Sequence, residues 1–391
     1  MNDAGTAGLG VGVSGRVSVI VPAYNYAQFL DACLQSVLTQ PLADLELVVV
    51  DDGSTDDTAA VAARFPRIQY LYQPNQGLSA ARNTGMRASS GEYLLFLDAD
   101  DLLAPDSLAA RLDLLRRARS HALSVCRNRM FTGGDEAGQM RFRGRWWLPP
   151  TDLDLRLRHF NIAPPHAFLL RREVAAAVGW FDTSLRACED YDYWLRALLC
   201  GYAPIYSQAG AVYYRKHAKS MSADNRNQLH HDALLHQRVL DTLLGEGGFQ
   251  PTDRTGALLA AYAGAYTTLA RLADCECGDY QNLSAVLHDS VSALQTRARI
   301  SSRGNTVLHD YYTLLLLQHG TACAARDARA ADCFVAVFDA LAQPGTAIGD
   351  WPTAPYLRAA SRLFTDRHAP FIDRFRTARL LTRRLTSCMA R

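Results

Sequence analysis

Four short apolar runs, at 17–21, 47–50, 68–72 and 93–97, each stop at a polar cluster, and helical patterns lie between them. This alternation constrains the fold more than any other feature of the chain. Strands that are apolar on both faces need cover on both faces, and the intervening helices supply it. The expected fold is therefore α/β, a mostly parallel sheet with helices on both faces. Phe29, Cys33, Leu34, Val37 and Leu38 recur at helical spacing before Gln40-Pro41, and similar patterns cover about 56–64, 79–87 and 106–119. In sheets of this kind ligands bind beyond the carboxyl ends of the strands. Those ends read Tyr24-Asn25, Asp51-Asp52, Asn75-Gln76 and Asp98-Ala99-Asp100, and all four are polar.

Further along, a Gly-, Pro- and Arg-rich stretch over 132–165, with Trp146-Trp147 inside it, reads as irregular. Helix returns at 189–199 and strand at 211–214. Beyond about 225 strand signals vanish, and apolar-periodic segments at 258–273, 282–294, 307–317 and 328–341 read as antiparallel helix pairs. The expected organisation is a flexible Gly/Ala/Ser-rich tail at 1–16, an α/β domain at 17–225 and an all-helical domain at 226–391. Lys and Arg number 41 against 39 Asp and Glu, a formal charge of +2 in 391 residues. A nucleic-acid partner is not expected, because such binders carry a strong basic excess. No apolar run reaches the ~18 residues that span a bilayer, and the start of the chain has no leader pattern. Nine scattered cysteines, mostly in apolar contexts, suit a reducing compartment, so a cytoplasmic protein is expected. From Pro370 onward, Phe371, Phe375, Ala378, Leu381 or Thr382, and Leu385 fall along one helical stripe, and five arginines occupy mostly the remaining surface. That is the pattern of a helix lying on anionic lipid at the inner face of the plasma membrane. The competing reading is a terminal helix whose stripe packs on its own domain.

The chemistry concentrates at the strand ends. Gly10-Val11-Gly12-Val13-Ser14-Gly15 matches G-x-G-x-x-G, but it precedes the first strand instead of following one, so the dinucleotide reading fails on context. At Asp98-Ala99-Asp100-Asp101, strand alternation puts Asp98 and Asp100 on one side. Two like carboxylates repel unless a cation compensates, and a hard divalent ion shared with phosphate oxygens is the usual solution. The bland alternative is that Asp101 or Asp106 caps the next helix. In Asp51-Asp52-Gly53-Ser54-Thr55-Asp56, capping and turn formation explain Gly53 and Ser54 or Asp56 but not the Asp51-Asp52 pair. Arg82 stands in a helix that starts at the sheet's carboxyl edge, where it could pair with a diphosphate or simply be solvated.

Residues 17–25 (Val-Ser-Val-Ile-Val-Pro-Ala-Tyr-Asn), 48–56 (Val-Val-Val-Asp-Asp-Gly-Ser-Thr-Asp), 75–85 (Asn-Gln-Gly-Leu-Ser-Ala-Ala-Arg-Asn-Thr-Gly) and 97–101 (Leu-Asp-Ala-Asp-Asp) resemble the successive motifs of family 2 glycosyltransferases, of GT-A fold. The resemblance covers about 17–222. It implies inverting transfer from a nucleotide-diphosphate sugar, most often UDP-linked, with a divalent cation, Mn²⁺ or Mg²⁺. By motif position, Asp52 contacts the base while Pro22 and Tyr24 line its pocket, with Asn25, Asp51 and Ala99 among the donor-site residues. Arg82 lies near the nucleotide, Asp98 contacts the ribose or the metal, and Asp100 is the principal metal ligand. Residues 188–196 resemble the family's Glu-Asp motif, which makes Asp190 the catalytic base, with Glu189 as the fallback. A carboxylate at a helix start is held ionised by the helix dipole. Residues 213–222 resemble Tyr-Arg-x-His-x-x-Ser-x-Ser, in which His217 completes the metal shell. Trp146, Trp147, Trp180 and Trp194 are either sugar platforms for the acceptor or core.

The expected activity is transfer to a hydroxyl of a glycan or lipid-linked acceptor in cell-surface polysaccharide or lipopolysaccharide assembly. A nucleotide-sugar-binding scaffold without activity is the alternative, and the presence of both Asp100 and Asp190 argues against it. Beyond about 225 the motifs give no guidance.

Overall fold

The computed structural model describes residues 9, 12–133, 140–147, 161–217, 225–244 and 253–274, with 153, 157, 308, 309, 312, 313 and 316 as isolated positions. The chain divides into two compact units, Met1–Ala223 and Asp224–Arg391.

In the first unit, β1 (Val13–Ala23), β2 (Leu45–Asp51), β3 (Gln69–Tyr72) and β4 (Gly91–Phe96) form a parallel block in the order β3-β2-β1-β4. Val19, Ile20, Val21, Val48, Val49 and Val50 have no exposed surface. Both faces of β1 and β2 are therefore buried, which is why they read as continuous apolar runs, whereas β3, at the sheet edge, is not buried as expected: Gln69 and Tyr72 are exposed. Between them lie α1 (Ala27–Leu38), α2 (Thr58–Ala62) and α3 (Leu78–Ala88). Asp56 serves two helix starts at once: its Oδ2 accepts from Ala27 N at 3.0 Å and its Oδ1 from Thr58 N at 3.0 Å.

Beyond β4 the sheet becomes mixed. The added strands are β5 (Leu102–Leu103), β6 (Leu123–Thr132), β7 (Arg141–Trp147), β8 (Phe168–Arg171) and β9 (Ile205–Arg215). The order continues β4-β8-β6-β9-β5, with β7 paired to β6. β8 is antiparallel to β4 and β6, while β9 is parallel to β6. The described residues of this unit also include helices α4 (Ser107–Arg117), α5 (Arg172–Val178) and α6 (Glu189–Leu199).

Two expectations change. β1 begins at Val13, inside the segment expected to be tail, because Val13 N donates to Ser90 O at 2.7 Å and Gly15 N donates to Glu92 Oε2 at 2.7 Å. The stretch expected to be irregular contains β7, which pairs antiparallel with β6. Arginines interrupt both strands at alternate positions (127, 129; 141, 143, 145), so neither presents an apolar run.

In the second unit, α7 (Asn225–Leu244) and α8 (Asp253–Asp274) pack through the His236 ring, stacked 4.6 Å from Tyr266. α8 contains the helix expected over 258–273. The helices expected at 282–294 and 328–341, and the stripe at 370–391, lie outside the described residues. Among the described residues, no helix is long and apolar enough to cross a membrane.

Candidate active site

The parallel register (Pro22 beside Val50, Ala23 beside Asp51) ends β1 and β2 at one level. Beyond that level a cavity of about 620 Å³ opens at the carboxyl edge of the sheet. Pro22, Tyr24, Asn25, Asp52, Asp98 and Ala99 line it, and so do Asp100 and Glu189. Asp51, Arg82, Asp190 and His217 are not among its lining residues; they act from behind or beside it.

Asp52 is buried, and its two oxygens hold the loop after β3. Oδ1 accepts from Gln73 Nε2 at 2.6 Å and Gln76 N at 2.9 Å, and Oδ2 accepts from Gly77 N at 2.8 Å. Gly77 sits at φ +93°, a conformation that favours glycine. Asp51 turns away from the cavity, accepting from Ser54 N at 2.8 Å and Tyr70 Oη at 2.6 Å. Asn25, at φ +57°, accepts from Thr55 N at 2.8 Å and so ties the end of β1 to the turn after β2.

Arg82 lies fully buried under the cavity. Its guanidinium donates to Asp98 Oδ1 at 2.7 Å and to Glu189 Oε1 at 2.6 Å, which joins the strand-end acids to the start of α6. Burial works to lower its pKa, but the charges of Asp98, Glu189 and Asp190 outweigh it and the pKa rises. Beside Glu189, Asp190 Oδ2 accepts from Asn161 Nδ2 at 2.9 Å. Burial first, and the charge of Glu189 second, push the Asp190 carboxyl up to about 7, against the pull of Arg82 and Asn161.

Asp100, two residues on from Asp98, has its Oδ2 2.8 Å from His217 Nε2, both groups partly accessible. Burial and the neighbouring Asp98 raise the Asp100 carboxyl. A carboxylate pair with an imidazole fits a divalent cation of the Mn²⁺ type. A second grouping, Asp98, Asp101 and His166, brings its ligand atoms within 4.8 Å of one another. Asp101 and His166 are fully buried, Asp101 Oδ1 is taken by Arg215 N at 2.6 Å, and burial pushes the Asp101 carboxyl well above its usual range. That couple suits a neutral structural pair. Asp100, unlike Asp101 and His166, lines the cavity, where substrate phosphates could complete a coordination shell.

Trp194 is not an acceptor platform. It has no exposed surface and stacks on Phe168 at 4.3 Å, so its indole is core. Trp146 and Trp147 have their backbone in β7, and their side chains lie outside the described residues.

Residues 18–179 match the family model described as glycosyl transferase family 2. The chain carries a family 2 glycosyltransferase domain. Among curated proteins it is 34% identical over 188 residues to chondroitin synthase of Escherichia coli, a match covering 46% of this chain and 26% of that protein. It is 46% identical over 98 residues to glycosyltransferase GlyA of Streptococcus pneumoniae serotype 4, covering 24% and 14%. The chain thus spans only a fraction of these relatives' lengths. Among solved structures, S. aureus TarS 1–349 in complex with UDP-GlcNAc aligns with a TM-score of 0.55 at 19% identity, over 82% of this chain and 90% of that one. The fold is accordingly of the GT-A type, a mixed α/β sheet with flanking helices.

Within this glycosyltransferase domain no local pattern marks Gln73, Asn161 or His166, which meet their partners across 21, 29 and 65 positions. Arg215 stood inside the Tyr-Arg-x-His segment, and its contacts show why it matters. Its Nε donates to Asp100 O at 2.7 Å and its guanidinium lies between the rings of Phe29 and Phe131, at 4.6 and 4.5 Å. It holds the loop that carries Asp100 against the end of β9, two residues before His217.

Proposed function

We propose that this domain transfers a sugar, with inversion, from a nucleotide-diphosphate sugar to a hydroxyl of a glycan or lipid-linked acceptor in cell-surface polysaccharide or lipopolysaccharide assembly, on the cytoplasmic side of the membrane. The observation that carries the reading is the Arg82 bridge: one buried guanidinium holds together Asp98 and Glu189, both of which line one cavity. TarS holds UDP-GlcNAc on this fold, so UDP-sugars are the donors to test first.

In this reading Pro22, Tyr24 and the loop braced by Asp52 receive the base and ribose, and the Asp98–Asp100 edge faces the diphosphate. Asp190 accepts the acceptor hydroxyl's proton as that oxygen bonds to the anomeric carbon, while the bond to the diphosphate oxygen breaks on the opposite face. A carboxyl poised at about 7 suits that task, because about half of it is ionised at neutral pH and the ionised form is basic enough to hold the proton. Asp100 and His217, with Asp98, would hold a divalent cation, whose charge stabilises the departing diphosphate when it is bound.

The test is a melting screen of nucleotide sugars with Mn²⁺ or with EDTA, followed by turnover with the donor found. A donor at a hundredfold excess over its Kd raises stability by about 2.7 kcal/mol. Metal-dependent stabilisation and a product of inverted configuration are expected. Binding with neither transfer nor slow donor hydrolysis would leave the scaffold alternative, and full activity in EDTA would remove the cation from the mechanism.

A further inference from the structure

Tyr26 caps the start of α1, directly after Asn25. Its carbonyl accepts from Phe29 N at 2.9 Å and from Leu30 N at 3.0 Å, so the helix it opens fixes its backbone. Its ring is fixed as well. It stands edge-on to the His217 imidazole, the centroids 5.9 Å apart at 78°, and lies 5.9 Å from the Phe29 ring. Phe29 in turn packs 4.8 Å from His217 and 4.6 Å under the Arg215 guanidinium. Tyr26 is half-buried and lines the cavity together with Asp98 and Asp100. Burial first, then the charges of Asp100 and Asp98, raise its pKa, which sets the hydroxyl at the acidic edge of the cavity.

We infer that the Tyr26 hydroxyl donates a hydrogen bond to the diphosphate of the donor, as a further catalytic residue of the transfer. The inference rests on the transferase reading. In that reading the diphosphate faces Asp98 and Asp100, whose charges repel phosphate oxygens, and the repulsion is offset only where Asp100 and His217 would hold a divalent cation. A tyrosyl hydroxyl is neutral at physiological pH and carries one proton to donate. It takes a phosphate oxygen without pairing with Asp98 or Asp100, which a lysine or arginine at this position would do, and so leaves the cation's ligands available. Its bond strengthens as negative charge collects on the departing diphosphate, so it favours the transition state over the bound donor. The packing against His217 and Phe29 holds the ring in place before the donor arrives, so little side-chain freedom is lost on binding.

Tyr26→Phe removes the hydroxyl and keeps the ring, so the full-length variant should melt with the unaltered chain. Calorimetric titrations at saturating Mn²⁺ compare UDP with uridine on both proteins. UDP should bind the variant about tenfold more weakly, the scale of a hydrogen bond to a charged group. Uridine, which has no phosphate, should bind both proteins alike and shows that the base pocket is intact. Mn²⁺ alone, followed by its paramagnetic resonance signal, should bind both with one affinity. Unchanged UDP affinity in the variant, an equal loss for uridine, or a matching loss of Mn²⁺ affinity would overturn the inference; the last would make the hydroxyl a support of the cation site instead. If the unaltered chain does not bind UDP, the transferase reading falls and the inference with it. UDP binding that Tyr26→Phe leaves unchanged strikes the inference alone.

Discussion

A buried cation is tolerated only while its partners stay in place, and Arg82 has two, Asp98 and Glu189. Replacing it with Met removes the charge but leaves a part-buried and a buried carboxylate facing each other. Arg82→Met should destabilise the domain by about 3–5 kcal/mol, the range for breaking a buried pair from one side. Urea denaturation measures this, and a loss under 1 kcal/mol would show that solvent reaches the site. Asp190 belongs to the same cluster and sets the pH dependence. Its carboxyl must be ionised to accept a proton, so kcat/KM should rise with pH and level off above about 7. The same raised pKa acts on stability in the other direction. The folded state binds the proton more tightly than the unfolded chain, so this group's contribution falls as pH climbs from about 4 to 7. Asp190→Asn should cut turnover by roughly 10²-fold while sparing donor affinity. If Glu189→Gln is the crippling change instead, the base is the residue that lines the cavity.

At the level of elements, the site depends on how closely α3 approaches β1. Gly85 of α3 sits where a Cβ would overlap Ile20 Cγ2 and meet Val50 Cγ2 at 3.3 Å. In an exposed helix Gly→Ala gains about 1 kcal/mol. Here the added methyl must push the helix off the sheet, and overpacking of that kind costs about 1–3 kcal/mol. Gly85→Ala should therefore lower stability and, because Arg82 lies one turn earlier on α3, weaken donor binding as well. A denaturation midpoint shifted upward would refute this packing argument.

For the whole molecule, the open question is where transfer takes place. The stripe at 370–391 pairs an apolar face with arginines, and a lipid-linked acceptor would be met at a membrane surface. Full-length protein should float with anionic liposomes, release as salt rises, and lose binding when truncated after Ala369. If both forms stay at the bottom of the gradient, the stripe is internal packing.

Much of the domain is legible in the chain itself. Apolar runs buried on both faces mark β1, β2 and β4, and the polar residues that end them mark the ligand edge, because strand ends and helix starts are set by local sequence. The acidic motifs were readable for the same reason: their spacing is local. What local sequence could not decide is which groups meet across the fold. Arginine alternation hid β6 and β7, since strands with polar side chains present no apolar run. Trp194 looked available until Phe168 covered it. Asp51 and Asp52 are neighbours in the chain, yet only the register of β2 turns one to Tyr70 and the other to the loop at 73–77. Arg82 pairs with a carboxylate 107 positions away. A long-range ion pair leaves no periodic trace in a sequence; it exists only because tertiary packing excludes water around both charges.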